Sequence, residues 1–168
     1  MSTIRILGVD TSLRSSGVGV IEMSGGEVRA LVYGRIHNKP ALLHTGCLAA
    51  IHREIDKLIT EFEPDEVAIE GAFFAKNART AMILGQARGV VLAACALRTL
   101  PVFEYSPRTI KQSITGVGTA QKGQVAKMVM RLLNLKSEPQ EDAADALAAA
   151  LCHANQRNLP EALRSAPV

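Results

Sequence analysis

The sequence predicts an α/β protein: a mixed five-stranded sheet, three strands antiparallel and two added in parallel, flanked by helices. Three observations predict this. The first forty residues hold three β-patterned segments, two of them joined by the Gly-Gly pair of "SGGE", which signals a hairpin turn. The residues that follow alternate between long helical and short strand patterns, the order that builds parallel sheets through right-handed crossovers. The composition, 48% hydrophobic and 21% charged over 168 residues, suits one domain with a substantial core.

Each element has its own reason. "IRILGVD" at 4–10 is nearly all apolar and reads as a buried strand ending in a carboxylate. "GVGVIEM" at 17–23 and "EVRALVYGRI" at 27–36 complete an antiparallel meander. "KPALLHTGCLAAIHREIDKLITEFEP" at 39–64 is a long amphipathic helix, with Leu43, Cys47, Ile51, Ile55, Leu58 and Ile59 as its apolar stripe. Pro64 ends it. "EVAIE" at 66–70 is a short strand, again closing on an acid. A second long helix spans 77–98, and "PVFEY" at 101–105 is the fifth strand. Ser106 is a good N-cap for a short helix with Pro107 at its first position. After the loop "TGVGTA" come a helix near 121–134 and a last helix that starts at "PQED". Residues 1–157 form the predicted domain, and 158–168, with two prolines, are expected to be a disordered tail.

The last helix is odd. From Ala143 to Cys152 its only polar residue is Asp145, and a helix apolar on every side is normally buried. Glu141 and Asp142 suit the positive end of a helix dipole, but Asp145 lies a turn deeper, on the face of Asp142. Asp10 and Glu70 stand at the carboxyl ends of two apolar strands, where open α/β sheets place ligands. If those strands are neighbours, and the last helix reaches the same edge, four carboxylates converge. Like charges share such a site only by raising a pKa or by holding a cation. Mg²⁺ is hard and prefers oxygen, and two such ions suit in-line phosphoryl displacement. Taken singly, each acid has a bland reading as a turn or cap residue.

Charge is segregated. Residues 71–135 hold nine basic residues (Lys76, Arg79, Arg88, Arg98, Arg108, Lys111, Lys122, Lys127 and Arg131) against the single acid Glu104, whereas the rest of the chain is net acidic. A polyanion such as DNA is the expected partner, with Lys76, Arg79 and Arg108 among the candidate contacts. Cys47, Cys95 and Cys152 have no metal-like spacing and read as buried reduced thiols of a cytoplasmic protein. The four histidines match no ligand motif. The N-terminus lacks signal-peptide anatomy, and the longest clean apolar run, 89–97 between Arg88 and Arg98, is too short to span a bilayer.

"GVDTSLRSSGVGVIE", "VAIEGAFFAKNARTAMILGQARGVV", "YSPRTIKQSITGVGTAQKGQVAKMV" and "EDAADALAAALCHA" resemble, in order, the blocks of the RuvC family of bacterial Holliday-junction resolvases. The resemblance implies an RNase H-like fold, a symmetric homodimer, and Mg²⁺-dependent paired nicks across a four-way DNA junction in recombination and repair. It implies two Mg²⁺ per site, with Mn²⁺ as a substitute, and RuvA and RuvB as partners. The family's four catalytic acids fall on Asp10, Glu70, Asp142 and Asp145, those already singled out. Its base-stacking aromatic falls on Phe73, with Phe74 structural, and it makes Lys111 and Lys122 DNA contacts near the scissile phosphate. One departure stands out: Thr11-Ser12 follows Asp10 where the family commonly has Pro-Gly.

Asp-Thr-Ser also occurs in actin-like and sugar-kinase ATPases that share the RNase H-like core. A small ATPase is therefore a second reading, opposed by the short chain and the lack of a second phosphate-binding repeat. A DNA-binding scaffold without catalysis is a third, opposed by the four intact acids. The helix at 77–98 is the expected dimer contact. Met82, Ile83, Leu84, Val90, Val91, Leu92 and Leu97 make more of its circumference apolar than one sheet would use, and Gly85, Gly89 and Ala93 recur every four residues.

Overall fold

The computed structural model describes residues 3–71 and 77–168. Its sheet runs in the order β3-β2-β1-β4-β5, with β1 Ile4–Asp10, β2 Ser15–Ser24, β3 Glu27–His37, β4 Glu66–Glu70 and β5 Val102–Tyr105. The first three strands pair antiparallel, and β4 and β5 add in parallel, as expected. Gly25 and Gly26 both take positive φ (61° and 88°) in the two-residue hairpin loop, the pattern of a type I′ turn. β2 begins two residues earlier than its apolar run, because Ser15 and Ser16 continue the ladder with β3.

Alternation along the strands decides what each face carries. Leu7, Val9, Val20, Val67 and Ile69 point to one face, where α1 (His44–Phe62) and α2 (Ala78–Leu97) cover them. Ile6, Ile21, Ala68 and Tyr105 point to the other, under α3 (Pro107–Thr115), α4 (Lys122–Leu132) and α5 (Glu141–Arg157). By the same period of two, Asp10 and Glu70 fall on the α5 face. Sheet periodicity alone therefore turns both strand-end acids toward the helix that carries the other two.

The helix starts follow local chemistry. The Asn77 side chain accepts from the Thr80 N–H at 2.9 Å, and the Ser106 hydroxyl from the Thr109 N–H at 3.0 Å with Pro107 next to it. α1 starts at His44, five residues after Lys39, because 39–43 form a turn fastened by the Arg14 guanidinium on the Lys39 and Leu42 carbonyls. Pro139 lies just outside α5, whose N-cap is Gln140.

α5 is buried on nearly every side from Ala143 to Ala154, as its composition demands. It approaches the sheet to backbone contact. A Cβ on Gly17 would stand 1.8 Å from the Asp142 carbonyl oxygen, and one on Gly8 would stand 2.0 Å from that of Ala146. No other residue fits at either place. The far end of α5 is anchored by a buried chain: the Tyr105 hydroxyl meets His153 Nδ1 at 2.6 Å, and His153 Nε2 meets Glu66 at 2.7 Å. Burial and then the Glu66 carboxylate act on His153 in opposite senses, and its pKa is lowered, which keeps the ring neutral. All three cysteines are free and buried, and burial pushes the Cys95 and Cys152 thiols up to about 11.

α2 is different. By length and composition it is apolar enough to cross a membrane, although the run unbroken by charge covers only 89–97. In the structure it packs on the sheet through Ala87, Val91, Ala94 and Cys95. Its other side leaves Met82, Gly85, Gly89, Ala93 and Leu97 exposed, and a Cβ on Gly85 or Gly89 would meet nothing within 4 Å. After α5, the chain makes a 3-10 turn at Glu161–Leu163, and the Val168 N–H donates to the Val102 carbonyl of the edge strand at 2.9 Å.

Candidate active site

β1 and β4 are parallel neighbours, with Val9 opposite Ile69, so Asp10 and Glu70 lie one residue beyond the last paired position. α5 delivers Asp145 to the same place. Asp10, Glu70 and Asp145 line an open pocket of about 230 Å³ together with Pro107, Ile110, Lys111, Lys122, Val125 and Ala148. Asp142 stands beside it, near enough to act on Asp10 through its charge. Three of the four acids predicted from sequence therefore line one pocket, with Asp142 beside it.

Their electrostatics show the cost of that convergence. Burial pushes Asp10 up to about 7, with Glu70, Asp145 and Asp142 adding to the rise and Lys122 opposing it. Glu70 is raised by burial and by Asp145, against Lys122 and Lys111. Asp145 is raised by burial, against the pull of Lys122. Lys122 offers partial relief: its ammonium lies 2.5 Å from Glu141 and 3.5 Å from Asp145, and these contacts raise its own pKa. Both Lys122 and Glu141 are largely exposed, so this pair holds weakly and can open.

The donor set fits a hard divalent cation: it is made only of oxygens, it carries excess negative charge, and it opens to solvent. Among the described residues no three His, Cys, Asp or Glu side chains close into a cage that would grip one ion at once. Mg²⁺ does not need such a cage, because it commonly uses one or two carboxylates and fills the rest of its shell with water and substrate phosphate.

Beyond the acids, Lys111 reaches the pocket from α3 and Lys122 from the start of α4. Arg108 is exposed on α3, where its side chain packs on Gly118 of the glycine loop. Arg79 is exposed in the first turn of α2 and is not among the lining residues. Phe73 and Lys76 lie outside the described residues, as does Phe74.

Three features escaped the sequence reading. The Ser15 hydroxyl donates to Asp142 Oδ2. Glu141 holds Lys122 as well as serving the helix dipole. Arg88 on α2 pairs with Glu104 and reaches the Glu70 carbonyl at 3.5 Å. The Thr11-Ser12 departure also has a local account. The buried Ser16 hydroxyl accepts from the Ser12 N–H at 3.0 Å and donates to its carbonyl at 2.5 Å, which fastens the turn that Pro-Gly would otherwise shape.

Comparison with known proteins agrees with this fold. The family model described as "Crossover junction endodeoxyribonuclease RuvC" matches residues 6–153. The protein of that name from Idiomarina loihiensis is 52% identical over 154 residues, covering 89% of this chain and 86% of that protein. The structure of T. thermophilus RuvC in complex with Holliday junction substrate superposes with a TM-score of 0.90 at 32% identity, covering 98% of this chain and 99% of that one. The yeast mitochondrial Holliday junction resolvase Ydc2 shares the fold, with a TM-score of 0.64 at 14% identity over 89% of this chain and 77% of its own. An RNase H-like sheet, its strand-end acids and a family match over most of its length lead to one conclusion: this chain belongs to the RuvC family of crossover junction endodeoxyribonucleases.

Proposed function

We propose that this chain resolves four-way DNA junctions by paired, symmetric phosphodiester hydrolysis at the carboxylate pocket, in recombination and repair in the cytoplasm. The observation that carries this is the convergence of Asp10, Glu70 and Asp145, with Asp142 beside them, next to Lys111 and Lys122. Asp10, Glu70, Asp142 and Asp145 are the ligands for Mg²⁺, two per site, with Mn²⁺ as a substitute. Bound there, divalent cations supply an activated water and charge stabilisation at the leaving oxygen.

Lys111 and Lys122 bind the phosphates that flank the scissile bond. Arg108, Arg79 and Lys76 extend the basic track along the DNA backbone, and Phe73 stacks on an unpaired base. Family membership supports these assignments, as does the T. thermophilus relative solved with a Holliday junction. A homodimer through the exposed face of α2 presents two identical acid clusters, one for each nick of a nearly two-fold junction. RuvA and RuvB are the partners that membership implies.

The test is a cleavage assay on a synthetic four-way junction with and without Mg²⁺, using single Asn or Gln replacements of the four acids. Paired nicks should require Mg²⁺ and vanish in each variant, while junction binding persists because the acids repel DNA. Substantial cleavage by the Asp142→Asn or Asp145→Asn protein would overturn the four-carboxylate assignment.

A further inference from the structure

The two aspartates of α5 are held in different ways. Asp145 faces a cation, Lys122, whereas Asp142 accepts a hydrogen bond from a neutral hydroxyl on a different element, that of Ser15. The placement of Ser15 follows from strand geometry. Ser15 and Ser16 are adjacent at the start of β2, so their side chains leave on opposite faces. Ser16 is fully buried and ties the turn at Ser12. Ser15 shares its face with Gly17, which takes the α5 backbone into contact at the Asp142 carbonyl.

β2 thus grips Asp142 twice, through a glycine at its backbone and through a hydroxyl at its carboxylate. Within the four-acid site proposed above, we infer that Ser15 is the positioning residue of Asp142: its hydroxyl fixes the carboxylate by Oδ2 and leaves Oδ1 to the cation. A neutral donor suits this place better than a lysine. It orients the carboxylate without cancelling its charge, so it does not compete with a divalent ion as the Lys122 ammonium does at Asp145. Partners of this kind typically contribute about 10–100-fold in metal affinity or activity.

Ser15→Ala removes the hydroxyl from a partly exposed position and should leave the fold intact, while Ser15→Thr keeps the donor. Mn²⁺ binding to the free protein, followed by electron paramagnetic resonance, provides a readout independent of turnover. Ser15→Ala should weaken Mn²⁺ binding about 10-fold and raise the Mg²⁺ concentration for half-maximal junction cleavage by a similar factor. Metal-free junction affinity and melting temperature should stay at wild-type values, and Ser15→Thr should recover most of the loss. Wild-type Mn²⁺ binding and Mg²⁺ dependence in Ser15→Ala, alongside an inactive Asp142→Asn control, would overturn the role of Ser15 and leave the four-acid site standing. Full cleavage by Asp142→Asn would overturn both.

Discussion

Asp10 concentrates the electrostatic cost of the site, and Asp10→Asn measures it. Burial, with Glu70, Asp145 and Asp142, raises this carboxyl from 3.8 to about 7. The folded chain therefore binds more protons than the unfolded chain between about pH 4 and pH 7. The stability contribution of Asp10 is fully present below the unfolded pKa and is lost as pH rises through the folded one. A shift of about three units is worth about 4 kcal/mol at most, at 1.36 kcal/mol per unit. Because the cluster titrates as a coupled group, the share of Asp10 alone is smaller, on the order of 2 kcal/mol. In a domain of 168 residues, about 2 kcal/mol moves the melting temperature by about 4–8 °C. Melting curves of wild type and Asp10→Asn, free of divalent metal, should therefore coincide near pH 4 and separate by pH 8, with the variant the more stable. Mg²⁺ at pH 8 should raise the wild-type melting temperature and act less on the variant. A pH-independent difference between the two proteins, or a variant less stable at pH 8, would refute the reasoning.

Two further outcomes concern DNA and assembly. Lys111→Ala and Lys122→Ala should each lower the slope of log K against log salt for junction binding by about 0.9, and an unchanged slope would show that the residue meets no phosphate. Gly89→Glu should fold normally, because a Cβ there meets nothing within 4 Å, but sediment as a monomer and make unpaired nicks. A wild-type chain that stays monomeric on the junction would refute the α2 dimer.

The strands were legible because their patterns are local: apolar runs, a Gly-Gly turn, and acids at the two strand ends. Short connections and crossover handedness gave the antiparallel meander and the parallel additions, whereas the adjacency of β1 and β4 in the order β3-β2-β1-β4-β5 came only from the structure. α5 gave itself away by carrying Asp145 in an otherwise apolar helix. What stayed hidden depends on partners remote in sequence. Nothing around Ser15 announces a carboxylate 127 positions away, and Arg88 shows no sign that Glu104 is its counter-ion. The close docking of α5 did leave a trace: Gly17 and Gly19, two apart in a strand, mark one face, Gly17 lying under the α5 backbone and Gly19 under the Leu147 side chain. The apolar circumference of α2 points to assembly, and the whole helix, unlike its charge-free run at 89–97, is long and apolar enough to cross a membrane.

The double grip of β2 on Asp142 has a consequence for the order in which the enzyme comes into being. β1, β2 and β3 are contiguous in the chain and pair through a tight hairpin, so they can form early. The contact that completes the acid cluster joins residues 127 apart and waits on the last long helix. Until α5 has been synthesised and docked, a nascent chain carries Asp10 and Glu70 without their two companions. On the proposed four-acid site, a chain whose α5 has not yet docked would lack Asp142 and Asp145 and with them the complete metal-binding set.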